Sequence, residues 1–339
     1  MSAREVVVVG AGKRVREVAL PAFRRLEQHF RLRQVWARSA RRVQVAGGAV
    51  DVAAFGELKP EDLHGADLVY VAVAKDAVPA VLRRLAALEV GSTDLLIDTP
   101  IVRFKHFRHA ARCRAFRNTW VAEDCVELPW IQAALAAVGP LYRVELERSA
   151  YAYHGVATAK TLLGARSVTS ARRRSLGGGG AERLLQVSTR GTARIVEPRD
   201  YAVGRMVFSG QGGSLSDRPE AGEEHLRLEV ELERGGVRAL RAGATRLALD
   251  DDELDLTRGD PDEASVTARM EAMKRVGFLR LLRRLAEGRR GYALEQGLED
   301  TVVDWCLERL GRYVSSPLSS PHSALGRGVL SLATLPGGG

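Results

Sequence analysis

Cysteine is scarce in this chain. Only Cys113, Cys125 and Cys306 occur in 339 residues, and none lies in a C-x-x-C pair. A disulfide framework is therefore excluded, and a reducing, cytoplasmic setting is expected. Lysine is almost as rare: with six lysines, 45 of the 51 basic residues are arginine. Long apolar runs are missing too. The longest, at residues 68–73, is ended by Lys75 and Asp76, well short of the roughly 20 residues a membrane helix needs. The run at residues 6–9 stops at Gly10, too soon for the core of a signal peptide. Hydrophobic residues at 45% and charged residues at 27% exclude general disorder and fibrous repeats. The formal charge of +9 suits a nucleic-acid partner, but the arginines are interspersed with acids. Their tight runs, such as residues 41–42, 172–174 and 289–290, are short and lack nearby stacking aromatics. A preference for arginine over lysine explains the charge, so no nucleic-acid or membrane partner is expected.

The first hundred or so residues alternate strand and helix patterns. Residues 5–9, 32–37, 68–74, 95–97 and 119–122 read as strands, several of them buried on both faces. Residues 16–30, 77–88 and 104–117 read as helices. This alternation predicts a parallel, doubly wound sheet. After about residue 140 the texture changes. A strand at 143–153 and a helix at 156–163 precede long alternating stretches at 184–196, 201–208, 226–232 and 237–249, with glycine-rich connections. These predict a mostly antiparallel sheet, followed by a helical tail at 264–313. Pro317, Pro321 and the terminal glycines mark a loose C-terminus. The expected class is α/β: an N-terminal Rossmann-type parallel sheet over 1–125, and a C-terminal α+β domain on an open, mostly antiparallel sheet over 126–339.

Gly10 and Gly12 follow the first strand and precede a helix. In that context the first glycine permits a tight turn, and the second lets a pyrophosphate approach the amides of the helix N-terminus. The third glycine of the dinucleotide fingerprint is replaced by Val15. Lys13 and Arg14 are expected near the phosphates. A ribose-binding acid belongs at the end of the second strand. The segment there contains Arg38 and Ser39, and the next acid is Asp51. An arginine with a neighbouring hydroxyl suits a 2′-phosphate, so the expected cofactor is NADP(H), with NAD possible.

The order Gly10-Ala11-Gly12, Ala19-Leu20-Pro21, Asp67 to Val73 and Leu96-Ile97-Asp98-Thr99-Pro100, followed by an antiparallel sheet domain, resembles the Gfo/Idh/MocA family of NAD(P)-dependent oxidoreductases. The resemblance implies a Rossmann domain, a substrate domain and oligomerisation through the C-terminal sheet. It also places Ala72, Asp98 and Pro100 along the cofactor. Two positions depart from the family. Its Glu-Lys-Pro is here Asp98-Thr99-Pro100, so the usual catalytic lysine is Thr99. Its Asp-x-x-x-His motif keeps the histidine, His154, ten residues before Gly164, but Ala150 stands in place of the aspartate. A member lacking both the lysine and the aspartate either uses another acid or has lost the reaction.

His154 is the candidate proton carrier, because imidazole changes charge near neutral pH. Glu123 and Asp124 follow the strand at 119–122, where ligands bind in open α/β sheets, and are the candidate assisting acids. Cys125 reads as packing, Lys160 as solvated, and Tyr153 as packing with an available phenol. His106, His109 and Cys113 share a helical face, but a strongly basic one, so no metal site is expected. The sequence thus predicts an NADP(H)-dependent oxidoreductase that moves hydride to or from a carbonyl, imine or sugar-type carbon of a small molecule. The alternative is a catalytically degenerate, nucleotide-binding sensor or partner protein.

Overall fold

The computed structural model describes residues 2–187, 191–259 and 265–315. Pro317, Pro321, the terminal glycines and residue 264 lie outside them. The chain forms two compact units. One contains Met1–Glu123 and Phe278–Thr301, and the other contains Asp124–Gly277 and Val302–Ser315. The sequence suggested a single boundary after residue 125. Packing returns part of the C-terminal helical region to the first unit. The Phe278 ring sits 5.5 Å from Tyr70 and 6.4 Å from Phe23.

The first unit is built on strands β1 (Arg4–Val9), β2 (Phe30–Ala37), β3 (Arg41–Val45), β4 (Gly48–Ala54), β5 (Leu68–Val71), β6 (Asp94–Asp98) and β7 (Thr119–Ala122). Their order is β7-β6-β5-β1-β2-β4-β3, with the short strand Tyr292–Ala293 beside β7. All but β3 and that short strand run parallel to their neighbours. Val6 to Val9 in β1 and Leu68 to Val71 in β5 are almost fully buried, as strands covered on both faces must be. The chain builds outward from β1 through β2 and then, on its other side, from β5. The sheet therefore reverses between β1 and β5, the place where open α/β sheets form a ligand crevice.

Two local readings change. Residues 41–54 form a hairpin that the sequence reading passed over, turned at Ala46-Gly47 with Gly47 at φ 86° and Gly48 at φ 132°. Residues 104–117, expected to be an α-helix, are 3₁₀ turns over Phe104–Ala115. Only Ala110 and Cys113 are buried there, and the like charges of Arg108 and Arg112, four apart, oppose a regular helix.

The second unit carries β8 (Leu141–Glu147), β9 (Ser170–Gly177), β10 (Gly180–Gln186), β11 (Thr192–Glu197), β12 (Arg205–Gly210), β13 (Gly213–Ser216), β14 (Leu226–Glu233), β15 (Gly236–Ala242) and β16 (Thr245–Ala248). Their order is β16-β15-β14-β13-β12-β8-β11-β10-β9, with Arg312–Val314 beyond β9. Pairing is antiparallel except for β8 with β11 and β13 with β14. The stretches at 184–196 and 237–249, expected as single strands, each span two strands of the sheet. Helices Pro129–Val138 and Ala152–Leu162 pack on this sheet. Arg194 bonds Glu182, Glu145 and Glu147, tying three strands together through charge. Among the described residues, no helix is long and apolar enough to cross a membrane.

Candidate functional site

The crevice of the first unit is shaped by its glycine turn. Gly10 ends β1 at φ 129°, and its amide donates to the carbonyl oxygen of Trp36 at 2.7 Å. A Cβ at Gly10 would lie 2.0 Å from the carbonyl oxygen of Ala72, which no side chain tolerates. Packing alone therefore requires this glycine. Gly12 differs: a Cβ there meets nothing within 4 Å. The protein leaves open space where the helical stretch that follows, residues 13–25, begins. An open glycine backbone at a helix start can admit an anion to the free amides. Val15, in place of a third glycine, opens a π-helical turn over Val15–Ala19, so the extra bulk is absorbed as a local widening of the helix.

Around this turn the sequence-chosen residues divide. Arg38 and Ser39 follow β2 and are exposed, free to meet a ligand. Lys13 is exposed and pairs loosely with Glu17 at 3.7 Å. Arg14 does not extend outward. Its Nε donates to Asp98 Oδ1 at 3.3 Å, and its guanidinium lies 5.0 Å from the Phe278 ring centroid. Asp98, Thr99 and Pro100 are half-buried at the end of β6. The sequence reading missed Lys75, which follows β5 at the same crevice. Its Nζ donates to the Asp98 carbonyl oxygen at 3.0 Å. Burial lowers its pKa below the usual ammonium value; Asp98 opposes this, Arg14 reinforces it and Glu123 opposes it. The signal was a charge ending an apolar strand, read only as a stop. Glu123 is buried at the end of this unit, and it adds, after burial and Asp300, to the raised pKa of the Tyr292 phenol.

The second unit gathers the other candidates. Asp124 and Cys125 open a 3₁₀ turn and are both buried. His154 is half-buried in the first turn of helix Ala152–Leu162, and its ring lies 4.2 Å from that of Tyr153. An Asp124 carboxylate oxygen, Cys125 Sγ and a His154 ring nitrogen lie within 4.8 Å of one another. His154 and Asp124, expected to act together, are neighbours in space. The helix enters through strained backbone: Ala152 adopts φ 38° and donates its amide to Glu197 Oε1 at 2.8 Å. Gly155 lets the helix close on β11, because a Cβ there would meet Ile195 Cδ1 at 2.9 Å. Lys160, expected to be solvated, is fully buried. The run from Gly155 to Lys160 has no exposed face, since the helix is enclosed rather than laid on the surface.

Lys274 is the second functional residue the sequence reading missed. Burial pulls its pKa down, but the charges of Cys125, Tyr201, Glu271 and Asp124 outweigh this and hold it above the usual value. The ammonium pairs with Glu271 at 3.7 Å and lies 5.9 Å from the Tyr201 ring centroid. Gly277, one turn along the same helix, lies so close that a Cβ would meet the Asp124 carbonyl oxygen at 2.4 Å. A lone lysine on a helix 149 positions beyond Cys125 gives no spacing signal in the sequence.

No family model and no curated protein matches this chain. Solved structures do. An oxidoreductase from Thermotoga maritima is 13% identical, covers 92% of this chain and 98% of its own, and has a TM-score of 0.58. The aldose-aldose oxidoreductase from Caulobacter crescentus complexed with glycerol is 14% identical, with 92% and 100% covered and a TM-score of 0.57. The scyllo-inositol dehydrogenase from Lactobacillus casei, with bound NAD(H) and scyllo-inositol, is 12% identical, with 92% and 98% covered and a TM-score of 0.55. At this identity the likeness is one of fold: the chain has the two-part architecture of these oxidoreductases, which is the one the resemblance to the Gfo/Idh/MocA family implies.

Proposed function

We propose that this protein is a nicotinamide-dinucleotide-dependent oxidoreductase that prefers NADP(H). The observation that carries this reading is the contrast between the two glycines: Gly10 is demanded by the Ala72 carbonyl, whereas the space at Gly12 is open. An open glycine at the helix start, beside the reversal of the sheet, suits a pyrophosphate. Gly10, Gly12 and Lys13 would hold the phosphates, Arg38 and Ser39 the adenosine ribose end, and Ala72, Asp98 and Pro100 the remainder. Arg14 acts through Asp98, since its guanidinium is already bonded there. When bound, the nicotinamide supplies or accepts the hydride.

The chain's own residues handle the proton. His154 exchanges it with the substrate, Asp124 orients the imidazole, and Glu123 assists as a nearby buried acid. The substrate is a small molecule with a carbonyl, imine or sugar-type carbon. The sugar-type choice gains support from folds shared with an aldose-aldose oxidoreductase and a scyllo-inositol dehydrogenase. The protein acts as a cytoplasmic homo-oligomer joined through the C-terminal sheet. A second reading, a sensor that binds the nucleotide without turnover, is favoured by Thr99 at the family's lysine position.

Cofactor choice is tested at Arg38. NADPH is expected to bind more tightly than NADH, and Arg38→Ala to remove most of the difference, about 1–3 kcal/mol for a charge-assisted contact. Calorimetric titration of both proteins with both cofactors measures it. Equal affinities in the unmodified protein would refute the preference.

A further inference from the structure

The mechanism above leaves Cys125 unused, yet its surroundings differ from those of the other cysteines. Cys113 is buried among apolar groups that push its thiol up to about 12. Burial raises the Cys306 thiol as well, with no charge to offset it. Cys125 instead has a His154 ring nitrogen and an Asp124 carboxylate oxygen within 4.8 Å of its Sγ. A base and an acid close to one sulfur are parts of an activated nucleophile. The backbone fixes the arrangement. Thr158 Oγ1 donates to the Cys125 carbonyl oxygen at 3.4 Å, and Gly277 seats the lysine-bearing helix on Asp124. His154 is the least buried member of the cluster.

We propose that Cys125 and His154 form a nucleophilic pair that adds reversibly to the carbonyl carbon of aldehydes. The Cys125 thiol gives its proton to His154 and the thiolate adds to the carbonyl carbon, forming a C–S bond. The C=O π pair moves to oxygen, and His154 returns the proton there. The product is a neutral hemithioacetal, and no oxidant or reductant is consumed. This chemistry shares His154 with the oxidoreductase reading but needs no cofactor.

Alkylation by iodoacetamide at neutral pH, read peptide by peptide by mass spectrometry on the folded full chain, tests the pair. There the thiolate displaces iodide. Cys125 is expected to react at least about tenfold faster than Cys113 or Cys306, the effect of one unit of thiol pKa. His154→Ala should slow Cys125 by a similar factor. Circular dichroism reports whether the variant folds. Excess glyceraldehyde should protect Cys125, and removal of the aldehyde should restore labelling. The proposal is overturned if Cys125 labels no faster than the other two, if His154→Ala, folded, labels at the unmodified rate, or if aldehyde gives no protection. A requirement for chelator before labelling would also overturn it, since the sulfur would then be a metal ligand. NADPH titration of the same samples separates the two readings: binding without fast labelling removes only the thiol proposal, and fast labelling without binding removes only the oxidoreductase.

Discussion

Gly10→Ala is expected to destabilise the first unit by about 3 kcal/mol or more, whereas Gly12→Ala should change stability by less than about 0.5 kcal/mol. The asymmetry follows from geometry. At Gly10 an alanine must hold φ near 129° and place its methyl 2.0 Å from the Ala72 carbonyl oxygen, so either β1 or the chain after β5 must move. Those strands flank the reversal of the sheet and their valines form its core, and close-packed interiors do not yield cheaply. At Gly12 the added methyl meets no protein atom. It should instead occupy the ligand's space, so Gly12→Ala should keep its melting temperature and lose dinucleotide affinity. Thermal melts of both variants, paired with cofactor titration of Gly12→Ala, measure both halves. A Gly12→Ala protein that binds as the unmodified one does would remove the pyrophosphate from this turn.

His154→Ala is expected to leave cofactor affinity intact and to cut turnover by roughly 10²–10⁴, the usual contribution of one general acid or base. The residue stands in the first turn of helix Ala152–Leu162, with an Asp124 carboxylate oxygen within 4.8 Å of a ring nitrogen. His154→Asn should be nearly as impaired, because an amide hydrogen-bonds but does not shuttle a proton. Single-turnover rates with a carbonyl substrate separate this from a packing role. If both variants turn over normally but melt several degrees lower, His154 is structural and the proton comes from the carboxylates or water.

The parallel sheet was legible because its strands carry the pattern their burial demands: Val6 to Val9 and Leu68 to Val71 are apolar without alternation and end at turn residues. The hairpin at 41–54 was less so: Gly47-Gly48 between alternating residues is a turn signal, but the exposed arginines at 41 and 42 give its first strand a weak apolar period. The region at 104–117 differs in the other direction: read as a basic helix, it forms 3₁₀ turns, because its crowded cations oppose a regular helix. Of the site, the glycine turn was legible from local context, whereas His154 was singled out by the family resemblance and Asp124 by its place after the strand at 119–122. Lys75 and Lys274 were not. Each reaches its partners through the fold: Lys75 by crossing from the end of β5 to the end of β6, Lys274 by the return of a distant helix. Lys160 shows the same limit, because a lysine's burial depends on what encloses its helix rather than on its neighbours in sequence.

The central claim is that the turn at Gly10 and Gly12 holds a nicotinamide dinucleotide. The structure supplies its own reporter, since the carbonyl of Trp36 accepts the Gly10 amide and the indole is buried at the end of β2. Titration of tryptophan fluorescence with NADPH, NADH and neither is the most direct measurement. The account predicts a saturable change with NADPH at lower concentration than with NADH, together with an upward shift in melting temperature that corresponds to about 2.7 kcal/mol at a hundredfold excess over Kd. No saturable change and no shift with either dinucleotide would contradict it.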